Sequence, residues 1–443
     1  MKRTSIYLTL IFLVVTAYGQ KLTFKEAVEL GLKENINLKI QKNQLEVIQS
    51  QKLQNNARFF PTVSLNGSAF RTDGQQIDPV TGVGSNVTSD FASASIGASI
   101  SIFNGFNRIS SIKQSNSQFS AQEDFVRRSE QTIIFDVATQ YLQVLLDQEL
   151  VRIAQETLSA QQAVLDQITA FVELEMRPIT DLYNQEALVK NNELLLIRAE
   201  NNLRNDKSFL AQTLQLDPSV NFELEYPNWK AENIAINSYN LSELYDGAMQ
   251  QRSDLKQFQA LETSSRYSIK TATSGYYPNL SFGVRYGTQY FSFGTAGESS
   301  FNTQFFDLNP TTSYGFNLFI PIFNGFQTRT NRVAAKINYD NARINKQNLE
   351  KTIKIDVQRA YQNYQDAIIA YTASLAQLQS AELAIETQRE SYRLGISSQA
   401  ELSQSNQAYV TASSEKAQAE FTLLFQKILL DYAVGTLKFN DIP

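Results

Sequence analysis

Apolar and polar residues alternate in four stretches of this chain. In 312–322, Tyr314, Phe316, Leu318, Ile320 and Ile322 fall on one face, and Ser313, Gly315 and Asn317 on the other. In 278–290, Leu280, Phe282, Val284 and Tyr286 alternate with Ser281, Gly283 and Arg285. The first half repeats the pattern with smaller side chains. Val63, Leu65 and Ala69 oppose Thr62, Ser64, Asn66 and Ser68; Ala92, Ala94, Ile96, Ala98, Ile100 and Ile102 oppose Ser93, Ser95, Gly97, Ser99 and Ser101. A period of two predicts strands with one apolar and one polar face, over about 61–72, 90–103, 278–292 and 312–323. Polar loops are expected at about 73–89 and 293–311. Aromatics gather at one end of the strands: Phe59, Phe60, Phe103 and Phe106, then Tyr276, Tyr277, Phe323 and Phe326. Such a belt suits a membrane–water interface.

Elsewhere the period is helical. Neither Arg108–Phe171 nor Gln327–Arg393 contains proline or glycine. Ile353, Val357, Tyr361, Tyr364 and Ile368 step by fours and a three, which keeps one apolar stripe. At about 1.5 Å per residue, such helices reach roughly 100 Å. Helices are expected at about 22–57, 106–171, 180–214, 240–274, 326–392 and 399–434.

The chain is written twice. Ile102–Phe106 reads IFNGF, and Ile322–Phe326 reads the same. One ungapped offset carries Ile133, Val137 and Tyr141 onto Ile353, Val357 and Tyr361, and Asp136 onto Asp356. Upstream, an offset three residues shorter carries Phe60-Pro61 onto Tyr277-Pro278. Two repeats follow, 20–216 and 239–435, joined by a linker at 217–238, with a tail at 436–443. The period is far too long for a solenoid.

Composition narrows the function. Met1-Lys2-Arg3, an apolar run from Ile6 and Ala17-Tyr18-Gly19 read as a secretory leader over 1–19. The net charge is −5, which gives no footprint for nucleic acid. Cysteine and histidine are both absent. That removes Ser-His and Cys-His nucleophile pairs and ordinary zinc sites, so an enzyme is a distant reading and no cofactor is expected. After the leader no apolar run is long enough for a spanning helix. A membrane role then requires a closed β-barrel, because only helices and closed barrels satisfy their backbone in lipid. Four strands cannot close one, since the smallest bacterial barrels have about eight. Several copies must share a barrel, and three copies give the first comfortable size for a wet lumen. The rival from another class is a secreted coiled-coil scaffold.

The duplicated strand pair with its long hairpin, the starts Phe60-Pro61-Thr62-Val63 and Tyr277-Pro278-Asn279-Leu280, and the IFNGF turns together resemble the TolC-type outer-membrane efflux proteins. The resemblance spans essentially the whole mature chain. It implies a mixed α and β membrane protein: a trimeric twelve-stranded β-barrel, four strands per chain, continuous with a long periplasmic α-helical barrel. It also implies a homotrimer in outer-membrane lipid, with a periplasmic adaptor and an inner-membrane pump of RND or ABC type. Small-molecule efflux is the main expectation, and the outer-membrane component of type I protein secretion the alternative.

The resemblance further assigns the hairpin tips. Leu394-Gly395-Ile396 matches the apolar–Gly–apolar adaptor groove; in the first tip Glu175 stands in the glycine's place, between Leu174 and Met176. Thr180-Asp181 matches the closed-gate pair, whose usual basic partner falls on Ser397. Glu401 fits an acid ringing the entrance, and the next such position is Gln404. Glu401 also completes a capping box with Ser398, a compatible structural role.

Overall fold

A computed structural model describes residues 20–77, 82–217, 222–227, 229, 231–235, 239–293 and 297–438. The expected leader, part of the linker and the end of the tail lie outside the described residues. In chain order the elements are β1 (Gln20–Leu22), α1 (Phe24–Glu34), α2 (Ile36–Ala57), β2 (Thr62–Ile77), β3 (Gly84–Asn104), α3 (Asn107–Glu173), α4 (Ile179–Leu214), β4 (Phe222–Leu224), α5 (Ala231–Ala235), α6 (Leu241–Gln251), α7 (Ser253–Thr273), β5 (Asn279–Ser292), β6 (Thr311–Phe319), α8 (Gln327–Arg393) and α9 (Gln399–Val434). Two compact units result, and each draws on both repeats. One takes the chain up to Lys42, Val126–Ser253 and everything from Glu350; the other takes Asn43–Phe125 and Asp254–Leu349. Among the described residues no helix is long and apolar enough to cross a membrane.

In the second unit, β2, β3, β5 and β6 form one antiparallel sheet in that order. Val63 lies opposite Ala98, Ala98 opposite Val284, and Val284 opposite Tyr314. The next row is Ser64, Gly97, Arg285 and Ser313. Because side chains alternate, one face is apolar and the other small and polar. The pairing itself repeats: Val63 with Ala98 in the first hairpin becomes Leu280 with Leu318 in the second. The apolar face is bare, with Leu65 and Tyr314 each 77 % exposed. Along β3 it runs from Ile102 to Ala92, about 33 Å at ~3.3 Å per residue. Tilted by about 40°, that covers about 25 Å, the height of a barrel's apolar band. Arg71 and Asp90 end the band with a two-pronged ion pair at 2.7 and 2.8 Å.

The strands depart from expectation at their ends. β2 and β3 run on through 73–77 and 84–89, expected as loop, with Asp73 opposite Thr88 and Gln75 opposite Asn86. Polar side chains suit a ribbon wet on both faces. β6 stops at Phe319 rather than near 323, because Pro321 has no N–H for the ladder. β5 outruns its partner, since the last β5–β6 pair is Gly287 with Thr311. Side chains take over its freed edge. Gln304 Nε2 donates to Phe291 O at 3.0 Å, and Phe291 N–H donates to Gln304 Oε1 at 3.2 Å. Asn309 Nδ2 donates to Gln289 O at 2.7 Å. Thr303–Leu308, also expected as loop, makes a π-helical turn.

Both IFNGF segments turn strand into helix by two successive left-handed residues. Gly105 and Phe106 have φ of 63° and 64°, and Gly325 and Phe326 have 60° and 63°. The surroundings differ. A Cβ on Gly105 would meet Ser274 O and Tyr277 Cβ at 2.7 Å, whereas nothing lies within 4 Å of Gly325.

In the first unit, the helix expected over 22–57 is two helices. Asn35 separates α1 from α2: its N–H donates to Gly31 O, and its Oδ1 accepts from Leu38 N–H at 3.0 Å. One residue thus closes one helix and caps the next. The helix expected over 240–274 likewise breaks at Arg252, whose extended backbone (ψ 117°) ends α6. The linker at 217–238 carries β4 and α5, and β4 pairs in parallel with β1. Buried tyrosines hold this region. Tyr141 Oη lies 3.0 Å from Leu22 O and 2.6 Å from Glu225 O. At the matching place in the second repeat Tyr361 donates to Tyr239 O, and about one turn later Tyr364 donates to Ile234 O.

Candidate functional site

The hairpin tips, both in the first unit, carry the residues singled out from sequence. α3 and α4 close through the same hydrogen bonds as α8 and α9. Met176 N–H donates to Phe171 O at 2.8 Å and Glu175 N–H to Val172 O at 3.0 Å. Ile396 N–H donates to Ser391 O at 2.9 Å and Gly395 N–H to Tyr392 O at 3.0 Å. This is the Schellman closure, which needs one left-handed residue. Gly395 fills that place with φ 74° and Glu175 with φ 55°. The backbone turn therefore survives the replacement of glycine by glutamate. It leaves Leu174, Met176, Leu394 and Ile396 exposed, at 69, 67, 59 and 76 %.

The helix starts differ. Ser398 and Glu401 form a complete capping box: Glu401 N–H donates to Ser398 Oγ at 3.3 Å, and Ser398 N–H to Glu401 Oε2 at 2.8 Å. α4 begins at Pro178 without a side-chain cap, with Asp181 in its first turn. Asp181 suits the positive end of the helix there. Thr180, Glu401 and Gln404 are exposed and Asp181 half-buried.

The two hairpins meet through residues the sequence did not single out. The Arg177 guanidinium lies over the Tyr392 ring, 4.9 Å from its centre, and 3.9 Å from Asp181 Oδ2. The basic neighbour of Asp181 therefore comes from its own hairpin tip. Gln399 Nε2 donates to Gln185 Oε1 at 2.9 Å, and Gln185 Nε2 donates to Gln161 Oε1 at 2.8 Å. Gln185 is 1 % exposed. Tyr392 packs with Ile385 and Leu402, and burial pushes its phenol up while Arg177 pulls it back. A cavity of about 370 Å³ opens beside these groups, lined by Gln161, Gln185, Arg389, Tyr392, Gln399 and Leu402. Periodicity cannot find a buried glutamine, because its burial depends on a partner far along the chain.

A second polar feature sits between α3 and α4. Asp147 is 5 % exposed; its Oδ1 accepts from Gln143 Nε2 at 3.3 Å, and its Oδ2 meets no donor among the described residues. Burial, and then the neighbouring Asp206 carboxylate, push Asp147 up to about 7.

Residues 27–214 and 244–436 each match the family described as Outer membrane efflux protein. The chain belongs to that family. The two matched blocks are the two repeats of the sequence. Outer membrane protein TolC of Escherichia coli is 23 % identical over 364 residues, covering 82 % of this chain and 72 % of the relative. Probable efflux pump outer membrane protein TtgC of Pseudomonas putida is 23 % identical over 84 % of this chain and 72 % of its own length. The fold is shared with the Campylobacter jejuni CmeC outer membrane channel, with a TM-score of 0.80, 19 % identity, and 93 and 85 % of the two chains covered. As an outer membrane efflux protein, the chain serves export across a Gram-negative outer membrane, with its helical part in the periplasm.

Proposed function

We propose that three copies of this chain close one twelve-stranded barrel and act as a passive conduit, with no bond made or broken. The observation that carries this reading is the sheet itself. It has four strands, a bare apolar face and two open edges, β2 and β6. Edges left bare in lipid cost several kcal/mol per unsatisfied group, so β6 of one copy must pair with β2 of the next. The repeat supplies the register. Inside the chain, β3 of the first repeat pairs with β5 of the second. Carrying that pairing across by the repeat offsets sets Asn317 opposite Ser68, Phe316 opposite Ala69 and Leu318 opposite Gly67 of the neighbour. The bare surroundings of Gly325 then receive the neighbour's Ala57–Phe60, as Gly105 receives Ser274–Tyr277.

In this reading the exposed Leu174, Met176, Leu394, Gly395 and Ile396 dock a periplasmic adaptor, which joins the channel to an inner-membrane pump of RND or ABC type. Thr180, Asp181, Glu401 and Gln404 form the constriction at the tips. Three copies of Glu401 on an axis favour cations. Efflux of small molecules is the activity.

The chain lacks cysteine, so Asn317→Cys with Ser68→Cys gives a clean cross-link. Paired strands hold Cα atoms about 4.5–5.5 Å apart, within disulfide reach. Oxidised membranes are expected to yield covalent trimers, and the purified oligomer to conduct ions in planar bilayers. Asp181→Ala with Glu401→Ala is expected to weaken cation selectivity. A conducting oligomer whose selectivity ignores that double change would remove the constriction assignment. A monomer without conductance would remove the conduit.

A further inference from the structure

The polar face of the sheet carries serine, threonine, asparagine and glycine along most of its height. One level breaks the pattern. Phe70 on β2 lies opposite Phe91 on β3, and Phe91 lies opposite Phe291 on β5. All three have the parity of the polar row, alongside Ser68, Ser93 and Gln289. The Phe70 and Phe91 rings stack at 4.8 Å, and Phe293 meets the Phe291 ring edge-on at 4.4 Å. Phe70 is 57 % exposed and Phe291 40 %. The neighbouring rung, Arg71 with Asp90, ends the apolar band on the opposite face, so the three rings stand at the outer edge of that band.

Large aromatic side chains left in water on an otherwise polar strand face are unfavourable in proportion to the apolar surface they expose. Neither sheet packing nor lipid contact explains them, because both fall on the other face. We infer that Phe70, Phe91 and Phe291 form an aromatic girdle that sets the narrowest level of the outer mouth and holds back bulky hydrated solutes. The inference rests on the trimeric barrel proposed above, in which the polar face lines the lumen. Three copies then set nine rings around one axis. Apolar constrictions of this kind restrict water and hydrated solutes without any charge. Below the girdle the wall is mostly small side chains such as Ser93, Ser95 and Gly97, with Gln289 and Arg285 its longer and flexible polar ones, so the rings are the rigid apolar narrowing.

The test uses the absence of native cysteine. Ser99→Cys places one thiol on the polar face, nearer the helices than the girdle. Intact cells expressing the full chain are treated with a small maleimide and with a polyethylene-glycol maleimide too large for general porins. The small reagent is expected to label Cys at that position in every background. The large reagent is expected to react on the order of tenfold faster when Phe70→Ser, Phe91→Ser and Phe291→Ser are combined. The triple Phe→Tyr variant keeps the ring bulk and is expected to stay as slow as the parent. Equal rates for the large reagent in parent and triple serine variant would overturn the girdle. Failure of the small reagent in every background, with the protein present in the outer membrane, would instead overturn the lumenal placement of the polar face.

Discussion

At the scale of single residues, two side chains carry consequences out of proportion to their size. Glu175 occupies a left-handed turn that Gly395 occupies without strain. A non-glycine residue in that conformation costs about 1 kcal/mol. Glu175→Gly is therefore expected to stabilise the hairpin by about 1 kcal/mol, read as a raised melting temperature of the helical signal in detergent. An unchanged or lowered value would mean that Glu175 contributes something the backbone does not show. Arg285 is the other residue. On the polar rows of the four strands, through the height where all are paired, it is the one charged side chain among the described residues, and its Nη2 donates to Ser95 Oγ at 2.8 Å. In the proposed trimer three guanidinium groups share one level. Arg285→Glu is expected to move the reversal potential in a salt gradient towards cations, most at low ionic strength because screening weakens the ring at high salt. A reversal potential indifferent to this charge reversal would argue against a lumenal Arg285.

At the scale of elements, the β5–β6 connection depends on a side chain acting as backbone. Gln304 supplies both a donor and an acceptor to Phe291 where no strand remains to do so. Gln304→Ala leaves that N–H and C=O to water. It is expected to raise the protease sensitivity of the segment near Thr303–Leu308 in intact cells, with little effect on the amount of assembled protein. Gln304→Glu keeps the acceptor alone and should fall between. This contact also shows what the sequence could and could not tell. Alternation along β5 and β6 was plain, because one bare face demands it. The repeat was plain too, because IFNGF carries the same turn twice. The end of β5 was legible too, but the cover of its freed edge was not, since that depends on where β6 begins and on an amide thirteen residues away. The breaks at Asn35 and Arg252 were hidden for a similar reason: the apolar stripe continues through them, and only a cap or a turn of ψ interrupts the helix. At the tips, Leu394, Gly395 and Ile396 were readable as a pattern. Arg177, Gln185 and Gln399 were not, because their roles arise only where two hairpins meet.

At the scale of the whole molecule, a buried acid between two long helices weighs on folding. Asp147 is held well above an ordinary carboxylate. The folded chain therefore keeps its proton over a range in which the unfolded chain has lost it. Stability falls as pH rises from about 4 to about 7, and the full cost remains above that. Asp147→Asn is expected to stabilise the protein by about 1–3 kcal/mol at pH 8 and to flatten this slope. Denaturation of the purified protein at pH 5 and pH 8 checks both. Equal sensitivity of variant and parent to pH would place the titrating group elsewhere.

The unequal edges of the sheet reach further still. β2 has 16 residues and β6 has 9. Within a chain, the β2–β3 ladder runs the whole length of β2. Between chains it is limited by the shorter partner. In the proposed trimer the wall is therefore a cylinder with three seams between chains, each zipped only along the middle of β2, about residues 66–74, and as short as the β5–β6 ladder inside each chain. Such a vessel tears before it melts: on warming in detergent it should come apart into three intact staves, each still a sheet, at a temperature below the loss of strand structure.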